Sequence, residues 1–222
     1  VGLASLWLAI YLGGFGTRAR RGGGNIQVVN EIKEFDGFSF KVAGRNADEV
    51  ARWIVSNFEK VFSFVKRDKT RSIANTYSNV SQSRFIIAKN HKGNWVEALN
   101  EIGEMYLFFR KKHRKRVFEL GAFGIPVVYS SRGKLVSTKS GRRSSPLIFK
   151  VVESEGKYYW MVIRLSGEFL PVDEKLRFGN RLVKPSYSLV DELWSDLKKI
   201  GDEHMFFKDS VEAREVARVI KY

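Results

Sequence analysis

Gly13-Gly-Phe-Gly-Thr-Arg-Ala-Arg-Arg-Gly-Gly-Gly24 packs six glycines and three arginines into twelve residues. Glycine takes positive φ without a Cβ penalty and lets another group approach bare backbone. Successive N–H groups in such turns form anion-binding nests, and arginine adds a planar fork that matches a phosphate. The loop therefore supplies Gly14, Phe15, Gly16, Thr17, Arg18, Arg20, Arg21 and Gly22 as candidate contacts to a sugar-phosphate backbone. Phe15 either meets a base or plugs into the core. Two familiar phosphate loops do not fit. Walker A needs G-K-[ST] after its glycines, and that triplet is absent. Gly14, Gly16 and Ala19 satisfy G-x-G-x-x-G/A literally, but that fingerprint follows a strand and opens a helix. Here the loop follows an apolar helical run and leads into three consecutive glycines, each costing a helix about 1 kcal/mol.

Upstream of the loop, Val1–Leu12 is apolar apart from Gly2 and Ser5 and predicts a buried helix. Gly13–Gly14 would end it, one glycine taking the left-handed position past the C-cap. The run is shorter than the roughly 20 residues of a membrane span, and no basic residues precede it as in a signal peptide. A buried helix at the very start leads to the expectation that the chain continues upstream. Downstream, Asn25–Lys33 and Gly37–Val42 are expected as strands. Asn46 with Glu49 is a capping-box variant, followed by apolar residues at Val50, Ile54, Phe58, Val61 and Val65 at helical spacing. Lys66–Ser83 is expected as a loop and Arg84–Lys89 as a short strand. Asn94 with Glu97 caps a helix striped by Trp95, Leu99, Ile102, Tyr106 and Phe109 and expected to reach Leu120. Val127–Ser145 is expected as a mobile basic loop. Leu147–Val152 and Tyr158–Leu165 make a hairpin about Glu155–Gly156. Ser188 is expected to cap a helix through Ile200, and Asp209 with Glu212 a last one. The class is α+β with antiparallel strands. The domain division expected is 1–45, ending a first module with the glycine loop and strands, and 46–222, a helical region with a second α+β module.

The chain of 222 residues has 39 Lys+Arg against 24 Asp+Glu, a net charge of +15. The excess is concentrated. Residues 1–30 hold three arginines and no acid, and residues 105–152 hold twelve Lys/Arg against one acid, Glu119. That clustering points to a polyanion rather than to general surface solubility. With no cysteine there is no disulfide framework, thiolate nucleophile or Cys-ligated zinc. Together with the missing targeting signal this makes a cytoplasmic location the expectation. Apolar residues make up 44% of the chain, which excludes wholesale disorder.

Helix, then Gly-Gly-x-Gly-Thr-Arg-x-Arg-Arg-Gly-x-Gly, then strand resembles the glycine-rich loop of RAMP-superfamily CRISPR proteins. The Arg-x-Arg-Arg version looks most like the first RAMP subunit of the type III-B (Cmr) effector complex. Phe123-Gly-Ile-Pro126, Arg142-Arg-Ser-Ser-Pro-Leu-Ile-Phe-Lys150, Tyr158–Arg164 and Glu168-Phe-Leu-Pro171 are similar to the same family, in that order. The resemblance implies ferredoxin-like (RRM-like) modules with added helices, the first truncated at its N-terminus. It implies a subunit of a ribonucleoprotein that pairs guide RNA (crRNA) with target RNA, placed near the guide 3′ end among other Cmr subunits, with nuclease and cyclase activities elsewhere. Gly23 departs from the family loop, where an aromatic residue is common.

Two further basic segments are candidate RNA contacts. Arg110, Lys111 and Arg114 belong to a run that either tracks phosphates or is a solvated helix end favoured by the helix dipole. Arg142 and Arg143 lie in a segment that either orders against RNA or is a surface loop. No catalytic constellation stands out, and neither a metal nor a cofactor is expected. His91, His113 and His204 are scattered, Asp36 is an isolated acid, and no G-x-S-x-G elbow occurs. The reading is a non-catalytic RNA-binding subunit without membrane association. The alternative is a metal-independent guide-processing endoribonuclease with His113 or an upstream residue as acid–base group. An unrelated DNA-binding protein ranks last, since no helix-turn-helix or zinc finger is present.

Overall fold

The computed structural model describes residues 1–16, 18–28, 37–65, 78–129 and 133–207. Its centre is a four-stranded antiparallel sheet made from β1 (Asn79–Ala88), β4 (Leu147–Ser154), β5 (Lys157–Ser166) and β8 (Gly201–Met205), in the order β4-β5-β1-β8. Helix α3 (Trp95–Lys112) follows β1 and helix α4 (Ser188–Ile200) follows β5. The resulting βαββαβ sequence with this strand order is the split-βαβ, ferredoxin-like arrangement. The β4–β5 hairpin turns at Glu155 and Gly156, both at positive φ (54° and 75°), as a two-residue type I′ connection demands.

Register decides what each face carries. Phe149, Trp160, Val162 and Ile86 point to one side, where Tyr106 of α3 meets Phe149 at 4.8 Å and the Trp160 indole donates to Glu101 at 2.7 Å. Helix α4 covers the β1–β8 half of that face, its Trp194 indole donating to Glu203 at 2.6 Å. The other face, with Phe85, Ile87, Met161 and Ile163, is also buried. It is covered by α2 (Ala47–Val65), whose Phe58 lies 4.9 Å from Phe206, itself 4.9 Å from Phe85. Helix α1 (Gly2–Tyr11) packs on α2 through Trp7, Tyr11 and Trp53 and is tied to the following segment by Trp7 Nε1 donating to the Ser39 carbonyl at 3.0 Å. Both α1 and α2 share one apolar core with the sheet.

The expected capping boxes form. Asn46 Oδ1 accepts from the Glu49 N–H at 2.9 Å, and Asn94 Oδ1 from Glu97 N–H at 2.9 Å, each worth about 1 kcal/mol. Several expectations need correction. Gly37–Val42 is not a strand, and neither is the described part of 25–33; Phe38 and Phe40 are instead buried with their rings 5.7 Å apart, and Ser39 N–H between them donates to Asn57 Oδ1 at 2.7 Å. Strand β1 begins at Asn79, inside the expected loop, where Ser83 Oγ donates to the Asn79 carbonyl at 2.7 Å and accepts from the Ser166 N–H of β5 at 3.1 Å. Helix α3 stops at Lys112, and a short 3-10 helix, Glu119–Phe123, replaces its expected last turns. Ser188 does not cap α4; its hydroxyl donates to Glu119 at 2.9 Å, and Tyr187 holds the cap position.

The expected basic loop 127–145 contains β2 (Val127–Val128) and β3 (Lys134–Ser137), which join β6 (Leu176–Phe178) and β7 (Arg181–Val183) in a second sheet, β2-β3-β6-β7. Its serines conceal a buried site. Ser137 and Ser140 both donate to the buried Glu174 carboxylate. Asp36 and the helix expected after Asp209 lie outside the described residues. The two-sided burial has a direct test. Phe58→Ala should destabilise the chain by about 3–5 kcal/mol in urea unfolding; a loss below 1 kcal/mol would mean that α2 is not part of the cooperative core.

Candidate nucleic-acid interface

The glycine–arginine loop leaves the end of α1 and is tied to β4 at both ends. At its start the Gly13 carbonyl accepts from Lys150 Nζ at 2.9 Å, and towards its end the Arg20 carbonyl accepts from Phe149 N–H at 3.2 Å. The neck closes through Phe15 N–H donating to Gly24 O at 3.1 Å. A Cβ on Gly24 would stand 1.6 Å from the Phe15 oxygen, and one on Gly22 would stand 2.3 Å from a Leu99 methyl. These glycines therefore permit closure and packing on α3. Gly14 does likewise against Ala19, while Gly16 is exposed at φ 78°. Gly13 is not left-handed; the C-cap is Leu12 in the right-handed region. The expected nest does not form from the loop's later amides, since the N–H groups of Arg21 and Gly23 both turn inward to the Arg18 carbonyl, at 2.7 and 3.2 Å. The guanidiniums remain as the loop's candidate anion contacts.

Those divide by task. Arg18 and Arg21 are exposed, and Arg18 sits at φ 62°, a left-handed conformation that costs a non-glycine residue about 1–2 kcal/mol. Arg20 is half-buried and donates to the Ser145 carbonyl; burial first, then the neighbouring Arg143, lowers its pKa. Arg143 is likewise a brace, donating to the Glu168 carbonyl at 2.8 Å and to Ser78 Oγ at 3.2 Å, while Arg142 is exposed. Phe15 is exposed at the loop surface. Thr17 lies outside the described residues.

The loop and α3 converge. Arg110 lies 5.5 Å over the Tyr106 ring, and the charges of both Arg110 and Arg21 act on the Tyr106 phenol, whose pKa burial raises. Beyond it, Lys111, Lys112, Arg114 and Lys115 are exposed, as is Phe108 with 71% of its surface. Arg116 is taken by Glu119 and Glu192. His113 packs 4.5 Å from Phe109 and 4.0 Å from Glu192. Among the described residues no group of three or more His, Asp or Glu is placed to hold a metal, and no helix is long and apolar enough to cross a membrane.

Between the loop, α3 and β4 lies a cavity of about 660 Å³, whose walls include Arg18, Arg21, Gly22, Asn25, Trp95, Lys150 and Tyr158. Sequence reasoning missed four of these. Trp95 belonged to the apparent core stripe but is 57% exposed; its place directly after the N-cap puts it beyond the sheet edge. Lys150 was visible as the one charge in an apolar run, and burial lowers its pKa to about 8.

No family model matches the chain. Fold and sequence nevertheless agree on its class: it is a RAMP-superfamily CRISPR protein, most like the first RAMP subunit of the type III-B complex. The relative is the CRISPR system Cmr subunit Cmr1-1 of Pyrococcus furiosus, 30% identical over 166 residues, which cover 72% of this chain and 46% of that protein. The chain thus spans about half the length of this relative. The crystal structure of Cmr1 from the same organism, in its apo form, matches the fold with a TM-score of 0.55 at 20% identity, over 92% of this chain and 58% of that one.

Two outcomes follow from the loop's anchors. Gly24→Ala should open the neck, seen as lost hydrogen-exchange protection at the Phe15 amide; unchanged protection would show that the loop re-closes around a Cβ. For Lys150, the unfolded amine keeps its proton to about 10.5 and the folded one only to about 8. The unfolded chain binds the extra proton between these values, so stability rises with pH there. Urea unfolding should show wild type gaining up to ~3 kcal/mol on Lys150→Met from pH 8 to 10.5, and a gap independent of pH would mean a solvated ammonium.

Proposed function

We propose that the chain is a non-catalytic RNA-binding subunit of a type III-B CRISPR ribonucleoprotein, contacting guide RNA, target RNA or both near the guide 3′ end. The observation that carries this reading is the convergence of exposed Arg18 and Arg21 with Arg110 and the exposed bases at the end of α3. Such a track neutralises phosphates without reading sequence, and base pairing between guide and target supplies the specificity. Arg20 and Arg143 hold the loop rather than the RNA. Arg142 extends the surface from the 133–146 segment. Other Cmr subunits are the protein partners in this reading, and the cytoplasm is its compartment. His113, the acid–base candidate of the endoribonuclease alternative, is engaged with Phe109 and Glu192.

The test is single-stranded RNA binding across a salt series. Each phosphate contact contributes about 0.7 to the slope of log K against log salt for single strands. Arg18→Ala with Arg21→Ala should therefore flatten the slope by about 1.4, whereas Arg142→Ala alone should flatten it by about half of that. Equal slopes for wild type and the double variant would remove the loop from the interface.

A further inference from the structure

The cavity beneath the loop has chemistry that a phosphate clamp does not need. Its rim carries Arg18 and Arg21, and its walls include the indole of Trp95, more than half exposed, and the ring of Tyr158. Behind those walls, the Asn25 amide nitrogen donates to the Gly22 carbonyl at 3.1 Å, and Lys150, 2% exposed, donates to the Gly13 carbonyl at 2.9 Å, so both brace the loop around the cavity. The volume of about 660 Å³ falls within the range of small-molecule sites, roughly 300–1,000 Å³.

Aromatic wall and cationic rim together match one nucleotide. The geometry points to this cavity as the seat of a single unpaired nucleobase of an RNA strand, stacked on Trp95, with its flanking phosphates on Arg18 and Arg21. This rests on the RNA-binding reading above and adds a base site to the phosphate track. Stacking is tolerant of base identity because every base has a π face, so the site would hold a strand in register without selecting its sequence.

The experiment measures binding of a single-stranded RNA carrying one 2-aminopurine to the 222-residue chain, by anisotropy and by 2-aminopurine emission, over the same salt series. Trp95 is exposed, so Trp95→Ala removes no core volume. Trp95→Ala should weaken binding about tenfold (~1.4 kcal/mol) with an unchanged salt slope and should abolish the change in 2-aminopurine emission. Trp95→Phe should restore most of both. Wild-type affinity and emission in Trp95→Ala would overturn the base site while leaving the phosphate track intact. Loss of slope in Trp95→Ala would also overturn it, since the indole would then act by placing the arginines. Adenosine monophosphate binding as tightly as the oligonucleotide would overturn the assignment to an RNA strand. Equal slopes in wild type and the Arg18/Arg21 double variant would overturn both readings together.

Discussion

The attachment of the glycine–arginine loop to β4 determines what the rest of the surface can do. Lys150 Nζ holds the Gly13 carbonyl, and the Phe149 amide holds that of Arg20. Helix α1 has no basic residue in its last turn, so its negative dipole end would be uncompensated; Lys150 supplies that charge from 137 residues away in sequence. The contact is not free, because burial lowers the amine's pKa to about 8. In exchange the loop is fixed along an edge strand of the central sheet rather than hanging from a helix end.

The same sheet buries both of its faces, which shapes the interface by exclusion. RRM-like modules read RNA on an open sheet face bearing aromatic residues. Here that route is closed, because Phe85, Met161 and Ile163 are buried beneath α2 and its aromatic contacts. The opposite face is buried against α3 and α4. A polyanion would be left with the edges: the loop beside β4, the end of α3, and the second sheet.

Much of this architecture is legible in the sequence where a local signal is strong. The two Asn-x-x-Glu caps, the apolar stripe of α2 and the β4–β5 hairpin with its Glu-Gly turn are dictated by contacts within a few residues, and the structure has all of them. The resemblance to RAMP proteins was legible in the loop itself. What failed depended on distant partners. The serines of β1 and β3 read as loop because their satisfaction comes from Ser166 and Glu174, up to 83 residues away. Helix α3 was overextended because its basic tail has fair helix propensity, yet Arg116 is drawn instead to Glu192 of α4. In the candidate site, composition located the loop but did not distinguish its exposed arginines from its braces.

That distinction alters what the net charge means. Of the bases in residues 105–152, Arg116, Lys139, Arg143 and Lys150 are held by protein partners. Their charge is spent on architecture, and the low local dielectric around the buried ones makes those contacts stronger than their surface counterparts. Lys111, Lys112, Arg114, Lys115, Lys134 and Arg142 are exposed. With Arg18 and Arg21 they form the part of the excess available to an external polyanion. The positive surface open to an external partner is therefore smaller than +15 implies and is concentrated on the loop, the end of α3 and the 133–146 segment.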